Sequence, residues 1–181
     1  MRIVLVTGGT SNLGKAICRS FIQRGDSVIA TYAHNREGAE LLKRELGDRL
    51  TILELDLLKE ESVLSLFEKI QKLDVLVNNS GLFTLSDQQD LQAEEWDRVF
   101  ATNVRGLFLV TKGALPLLKE SPDACIVNIA SINAIHPGFG QTAHYDASKG
   151  AVVAYTKSLA AEVAPIRVNA VAPGLLDAPY L

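Results

Sequence analysis

Cysteine is scarce, and its placement excludes a good deal. Cys18 and Cys125 are the only two in 181 residues, each within an apolar periodic segment. They fit no metal or redox spacing and read as buried thiols in a reducing, cytoplasmic setting. Excess charge of one sign is also lacking. The formal net charge of −3 gives no basis for nucleic-acid or anionic-membrane binding. No apolar run reaches membrane-spanning length, and no leader pattern precedes the first strand-like stretch. Tandem repeats, low-complexity runs and linkers are missing, so residues 1–181 read as one domain. Apolar residues make up 48% and charged residues 22%, as in an ordinary folded domain.

What is present alternates. Short apolar runs at Arg2–Thr7, Ser27–Tyr32, Leu50–Leu55, Leu73–Val77, Ala124–Ala130 and Ile166–Val171 read as strands buried on both faces. Between them lie helix-like stretches at Lys15–Arg24, Glu37–Leu46, Glu60–Ile70, Ala93–Phe100, Val104–Lys119 and His144–Ala164. Strands alternating with helices imply a parallel sheet covered on both faces. Trp96, Val99, Phe100, Leu107, Phe108 and Thr111 stand at core-like spacing. Thr102 and Asn103 interrupt that pattern as a mild misfit. Ser131–Thr142 reads as a loop.

The first strand runs straight into Gly8-Gly9-Thr10-Ser11-Asn12-Leu13-Gly14 and then a helix. Strand, glycine-rich turn and helix form the context of a dinucleotide loop, in which the backbone approaches a pyrophosphate at a helix N-terminus. Asn12 is expected in the left-handed backbone such a loop uses, where it or Ser11 can add a hydrogen bond to phosphate. The end of the second strand lacks the carboxylate that binds NAD ribose hydroxyls. Instead it carries His34, Asn35 and Arg36, with no acid until Glu37. Those three can hold a 2′-phosphate, so NADP(H) is preferred over NAD(H). The plainer alternative is a solvated helix start, and Ser11 stands where many NADP-preferring loops have arginine. Asp56, Asn79 and Gly81 fall at carboxyl ends of strands, where such sheets bind ligands.

Tyr145 and Lys149 stand four residues apart on one helix, so both side chains share a face. A nearby cation lowers a phenol's pKa, which suits general acid/base work. Ser131, just past a buried strand, places a hydroxyl within reach of the same substrate oxygen. Taken alone, the pair is ordinary surface spacing. His136 and His144 lie close enough to Tyr145 in sequence to invite a catalytic role, but read rather as loop residues.

Taken together, Thr7-Gly8 through Gly14, Asp56-Leu57, Asn78-Asn79-Ser80-Gly81, Asn103, Ser131, Tyr145-x-x-x-Lys149 and Pro173-Gly174 resemble the short-chain dehydrogenase/reductase family. That resemblance implies a Rossmann-type α/β fold, a doubly wound parallel sheet in strand order 3-2-1-4-5-6. It also implies NAD(P)-linked oxidation of a hydroxyl or reduction of a carbonyl on a small organic substrate. By the same resemblance Tyr145 is the proton donor, Lys149 binds the nicotinamide ribose and lowers the tyrosine pKa, and Ser131 polarises the substrate oxygen. Asn103 positions a relay water. Gly8, Ser11, Asn12 and Leu13 form the cofactor loop, Asp56 and Leu57 meet the adenine, and Asn79 with Gly81 lies along the adenosine ribose. Pro173 and Gly174 pass the nicotinamide.

The family's members continue past the sixth strand through a substrate-covering segment, a helix and a seventh strand. The expectation is therefore an incomplete piece of a longer protein, with Leu175–Leu181 as the start of a cut lid. The alternative is a shortened form whose sheet edge a partner covers. A shortened chain also opens a second reading, a nucleotide-binding protein with little or no turnover. The resemblance further implies a homodimer or homotetramer through helices 104–119 and 144–164. Leu82, Phe83, Ile132, Ile135, His136 and Phe139 point to an apolar substrate pocket.

Overall fold

The computed structural model describes residues 1–176. Six parallel strands form one sheet: β1 (Ile3–Val6), β2 (Ser27–Tyr32), β3 (Leu50–Glu54), β4 (Val75–Asn78), β5 (Cys125–Ile129) and β6 (Arg167–Val171), in the order β3-β2-β1-β4-β5-β6. The central strand β1 is the most apolar, and it pairs Val4 with Val28 on one side and Val75 on the other. This is the parallel sheet that the alternation implies, in the doubly wound Rossmann-type order that the resemblance implies.

Helices cover the sheet unequally. α1 (Asn12–Gln23) and α2 (Arg36–Leu46) bury Cys18 and Leu42 against Val4, Val6, Val28 and Val75. α3 (Glu60–Glu68), α5 (Leu107–Lys119) and α6 (Ala143–Glu162) bury Val63, Leu66, Val110, Leu118 and Leu159 against Leu5, Leu76 and Ile126. Burial of Cys18 pushes its thiol up to about 12, so it stays protonated and inert. Among the described residues β6 is a sheet edge, and Val168 is its one buried residue. No helix among the described residues is long and apolar enough to cross a membrane.

Several local expectations are corrected. α1 begins at Asn12 rather than Lys15, because the Ser11 Oγ accepts from the Gly14 N–H at 3.2 Å and caps the helix. Asn12 is thus helical. The left-handed residue of the loop is Gly8, at φ 60°, where a Cβ would stand 2.8 Å from the Ser80 hydroxyl oxygen. Trp96 and Phe108 are not core residues; Trp96, on α4 (Ala93–Phe100), stacks on Phe100 and both it and Phe108 reach solvent. Thr102 and Asn103 do not merely bend a helix. They lie in a π-helical turn, Ala101–Gly106, between α4 and α5. The 131–142 segment opens with a short 3₁₀ turn, Ile132–Ala134. Of the expected lid at Leu175–Leu181, the part from Asp177 onward lies outside the described residues.

Candidate active site

The glycine loop closes on itself. The Ser11 N–H donates to the Gly8 carbonyl at 3.0 Å, and the Gly8 N–H donates to Thr31 Oγ1 at 3.1 Å. Asn79 braces it from β4: its Nδ2 donates to the carbonyls of Thr7 at 2.9 Å and Gly8 at 3.1 Å. Thr7 Oγ1 accepts from the backbone of Asn79 and Ser80, each at 3.0 Å. At Gly14 a Cβ would come 2.2 Å from the Gly8 carbonyl oxygen, so only glycine allows α1 this close to the turn. The Asn12 Nδ2 is buried with no partner at the start of α1. A close backbone approach, a helix N-terminus and an unpaired donor are what a pyrophosphate requires, so these residues fit a dinucleotide.

At the far end of that cleft stand the Tyr–Lys pair and Ser131. Lys149 is 4% exposed, and its Nζ donates to the Ile129 carbonyl at 2.8 Å. Burial pulls its amine down to about 8. Its Nζ lies 5.7 Å from the centre of the Tyr145 ring. Burial pushes the Tyr145 phenol above its ordinary value; the Ser131 hydroxyl pulls it partly back, and the Asp146 charge adds to the rise. In the chain by itself the tyrosine therefore keeps its proton. Lys149, whose Nζ is turned to the Ile129 carbonyl, is not among the groups that move the phenol in the chain by itself. The Phe83 ring packs edge-on against Tyr145, with centroids 4.8 Å apart.

Asn103 is 1% exposed and fully engaged. Its Oδ1 accepts from the Leu82 N–H at 2.7 Å, and its Nδ2 donates to the Leu82 carbonyl at 2.9 Å and Ser148 Oγ at 3.0 Å. A Cβ on Gly81 would lie 3.2 Å from Lys149 Nζ and 3.3 Å from Asn103 Oδ1, so Gly81 lets the chain pass over both.

Two cavities meet at this point. One of about 210 Å³ runs from Ser11 and Leu13 past Asn79 and Gly81 to Lys149, Pro173 and Gly174. The other, of about 480 Å³, lies beyond it between Ile132, Pro137 and Phe139. Ser131 and Tyr145 line both. A third cavity of about 380 Å³ lies past the end of β2, between His34, Asp56 and Lys59.

The remaining expected residues divide. Asn35 spends its Oδ1 on the Gly38 N–H at 2.8 Å, capping α2. Arg36 is exposed, and its 3.9 Å contact with Glu40 is loose. Asp56 turns inward to its own segment, accepting from the Leu58 N–H at 3.0 Å and lying 3.3 Å from Lys59 Nζ. Leu57 is a core residue rather than a cleft residue, and it touches the π turn at Gly106. His136 is exposed in the loop, but His144 is not a loop residue. It lies in α6, fully buried, with Nε2 2.7 Å from Thr84 Oγ1 and Nδ1 unpartnered. Asp146 carries no signal of its role in the sequence beyond its place next to Tyr145. It accepts from Asn133 Nδ2, the Gly138 N–H and Thr142 Oγ1, at 2.7, 3.0 and 3.0 Å. Both flank Tyr145, a position that was the only signal of their importance.

The sequence pattern described as short chain dehydrogenase matches residues 2–181. The chain belongs to that family. A cyclopentanol dehydrogenase of Comamonas testosteroni is 37% identical over 186 residues, covering 98% of this chain and 74% of the relative. A 3-oxoacyl-(acyl-carrier-protein) reductase of Thermotoga maritima is 36% identical over 187 residues, covering 98% and 75%. Among solved structures, a closed serine dehydrogenase complexed with NADP+ superposes with a TM-score of 0.89 at 34% identity, covering 96% of this chain and 72% of that one. A 3-ketoacyl-(acyl-carrier-protein) reductase from Brucella melitensis complexed with NADH gives 0.91 at 34% identity, covering 98% and 77%. The protein is accordingly an oxidoreductase of the short-chain dehydrogenase type, acting on CH–OH or C=O groups.

Proposed function

We propose that this short-chain dehydrogenase is an NADP-linked enzyme that reduces a carbonyl, or oxidises a hydroxyl, on a small organic substrate, with Tyr145 as proton donor and acceptor. The observation that carries the reading is that Ser131 and Tyr145 line both cavities where the two meet. A substrate oxygen in the outer cavity meets both hydroxyls while its carbon faces the inner one. The bound dinucleotide supplies or accepts a hydride there. Ser131 orients the oxygen, and Tyr145, kept protonated by burial, donates to it. Lys149, buried beside the Tyr145 ring, would hold the nicotinamide ribose and stands where it can support reprotonation of Tyr145, while Asn103 fixes the neighbouring backbone. Asn103, bonded to both backbone groups of Leu82, also holds the 81–84 segment over the cleft.

NADP(H) is favoured because the end of β2 offers His34 and the exposed guanidinium of Arg36, and residues 31–36 carry no carboxylate of their own, although Glu54 and Asp56 line the cavity beside His34. A homodimer or homotetramer through helices 104–119 and 144–164 belongs to the same reading; the solvent-facing Phe108 on α5 supports it. Cytoplasmic residence is part of it too, since both thiols are free.

Fluorescence titration of NADPH and NADH against wild type and Arg36→Ala tests the cofactor site. Tighter NADPH binding that weakens on the order of tenfold in the variant, with NADH unchanged, is expected. Equal affinities retire the NADP preference and leave the oxidoreductase. Cofactor binding without turnover of any carbonyl would favour the reading as a nucleotide-binding protein.

A further inference from the structure

The outer cavity has an unusual chemical balance. Phe83, Ile132, Pro137, Phe139, Leu175 and Leu176 make most of its wall. Its polar lining is confined to Ser131, Asn133, His136 and Tyr145 beside backbone groups. No lysine, arginine, aspartate or glutamate lines it among the described residues. Asn133 spends one of its two amide protons on Asp146 Oδ1 at 2.7 Å, and its side chain carries no charge. Behind the same wall the Asp146 carboxylate also takes the Gly138 N–H at 3.0 Å. An anion entering this space finds apolar walls, no lysine or arginine to pair with, and a carboxylate one layer back. An anion that gives up water against apolar walls without a charged partner is penalised, and the like charge of Asp146 behind the wall adds to the penalty. An alkyl or alicyclic group meets none of these penalties and gains from leaving water.

We infer that the substrate is an uncharged, apolar ketone or secondary alcohol whose one polar group is the reacting oxygen, and that carboxylated or phosphorylated carbonyls are excluded. This rests on the oxidoreductase reading above. In the reducing direction the carbonyl carbon gains a hydride from the reduced nicotinamide and the oxygen gains the Tyr145 proton. The C=O double bond becomes a single bond with new C–H and O–H bonds, and the dinucleotide leaves oxidised. The reacting oxygen uses Ser131 and Tyr145, which leaves His136 and Asn133 as the other polar side chains of the described lining and no lysine or arginine for a second, charged group.

Three matched probes test this: cyclohexanone, 4-oxocyclohexanecarboxylate and the methyl ester of that acid. The ester is larger than the acid but neutral, which separates charge from size. NADPH oxidation is followed with each, and ternary binding is followed by NADPH fluorescence in Tyr145→Phe. The expected result is a kcat/KM for ketone and ester on the order of 100-fold or more above the acid, with ternary binding only of the neutral pair. The discrimination persists in His136→Gln, and Phe139→Lys, on an exposed wall position, raises activity on the acid about tenfold or more. Equal rates for acid and ester, preference for the acid, or no response to either neutral probe by cofactor-loaded protein overturns the substrate class while leaving the oxidoreductase reading intact. Failure to bind NADPH and NADH overturns that reading itself.

Discussion

The Asp146 carboxylate accepts a 2.7 Å hydrogen bond from the Asn133 amide and thereby ties α6 to the loop that walls the outer cavity. The same carboxylate takes the Gly138 N–H and the Thr142 hydroxyl, so three points of the 133–142 segment hang on one side chain. Gly138 sits tightly inside the clasp: a Cβ there would be 2.2 Å from Thr142 Oγ1 and 2.6 Å from Asn133 Nδ2. Asp146→Ala releases the loop. Its expected effect is a KM for the carbonyl substrate raised on the order of tenfold, with cofactor affinity unchanged and a loss of about 1–3 kcal/mol in stability. Asp146→Asn keeps acceptor oxygen and restores part of the KM. Steady-state kinetics of both variants check this; equal loss of kcat and cofactor binding would count against a loop-positioning part.

Tyr145 differs in where its effect falls. Tyr145→Phe removes the hydroxyl and keeps the ring against Phe83. Turnover is expected to fall by about 10²–10⁴, with NADPH affinity within about twofold. Because burial raises its pKa in the chain alone, Tyr145 ionises above the ordinary tyrosine range. The difference in ultraviolet absorbance between wild type and Tyr145→Phe, titrated from neutral pH upward, therefore develops above pH 10. A tyrosine ionising near neutral pH without cofactor would contradict the geometry.

Lys149 carries a pH-dependent cost. Its amine falls from 10.5 to about 8 in the folded chain. Below about 8 both folded and unfolded forms are protonated, and the buried ammonium destabilises the fold. Between about 8 and 10.5 the unfolded chain binds a proton that the folded one lacks, so this group's contribution to stability rises with pH, by about 3 kcal/mol in total. Lys149→Met removes the cost and also one hydrogen bond to Ile129. It is expected to be about 2 kcal/mol more stable than wild type at pH 7, with the gap shrinking toward pH 10, and to be inactive. Urea unfolding at a series of pH values measures both slopes; a gap that grows with pH would reverse the sign.

Much of this was readable in the linear sequence because the signals are local. Two-sided apolar runs such as Ile3–Val6 and Val75–Asn78 can only be interior parallel strands. The Tyr145–Lys149 spacing places two side chains on one helical face whatever the tertiary fold. What stayed hidden depends on distant partners. Asn103 reads as a misfit in an amphipathic stretch until Leu82 and Ser148, 21 and 45 positions away, are brought to it. His144 opens a helix-like stretch, but nothing local shows its ring to be buried until Thr84, 60 positions upstream, meets it. Trp96 and Phe108 show the opposite error. Their helical spacing marks a face of the helix, and spacing alone does not say whether the chain's own core or solvent lies against it.

Asn103 gives the sharpest test of that hidden layer. The π turn at Ala101–Gly106 exists where an extra residue is accommodated between α4 and α5, and it turns the Asn103 side chain inward. There the amide serves both backbone groups of Leu82 and the Ser148 hydroxyl, which itself donates to the Tyr145 carbonyl at 2.7 Å. The loop after β4 and the helix bearing Tyr145 are thus held through one side chain. Asn103→Ala leaves the Leu82 N–H and carbonyl without partners in a half-buried setting, and unmet backbone groups of this kind cost about 1–3 kcal/mol each. The expected outcome is a stability loss of about 2–4 kcal/mol and rapid amide exchange at Leu82. A fall in kcat should accompany it, as Phe83 loses its fixed place against Tyr145. Asn103→Asp retains the acceptor for the Leu82 N–H but sets a carboxylate against the Leu82 carbonyl, so it recovers amide protection only in part. Hydrogen-exchange mass spectrometry on the 79–86 peptide, run beside the kinetics, distinguishes the cases. Protection at Leu82 that survives Asn103→Ala would mean that the loop is held by its Ser86–Gln141 and Thr84–His144 contacts alone.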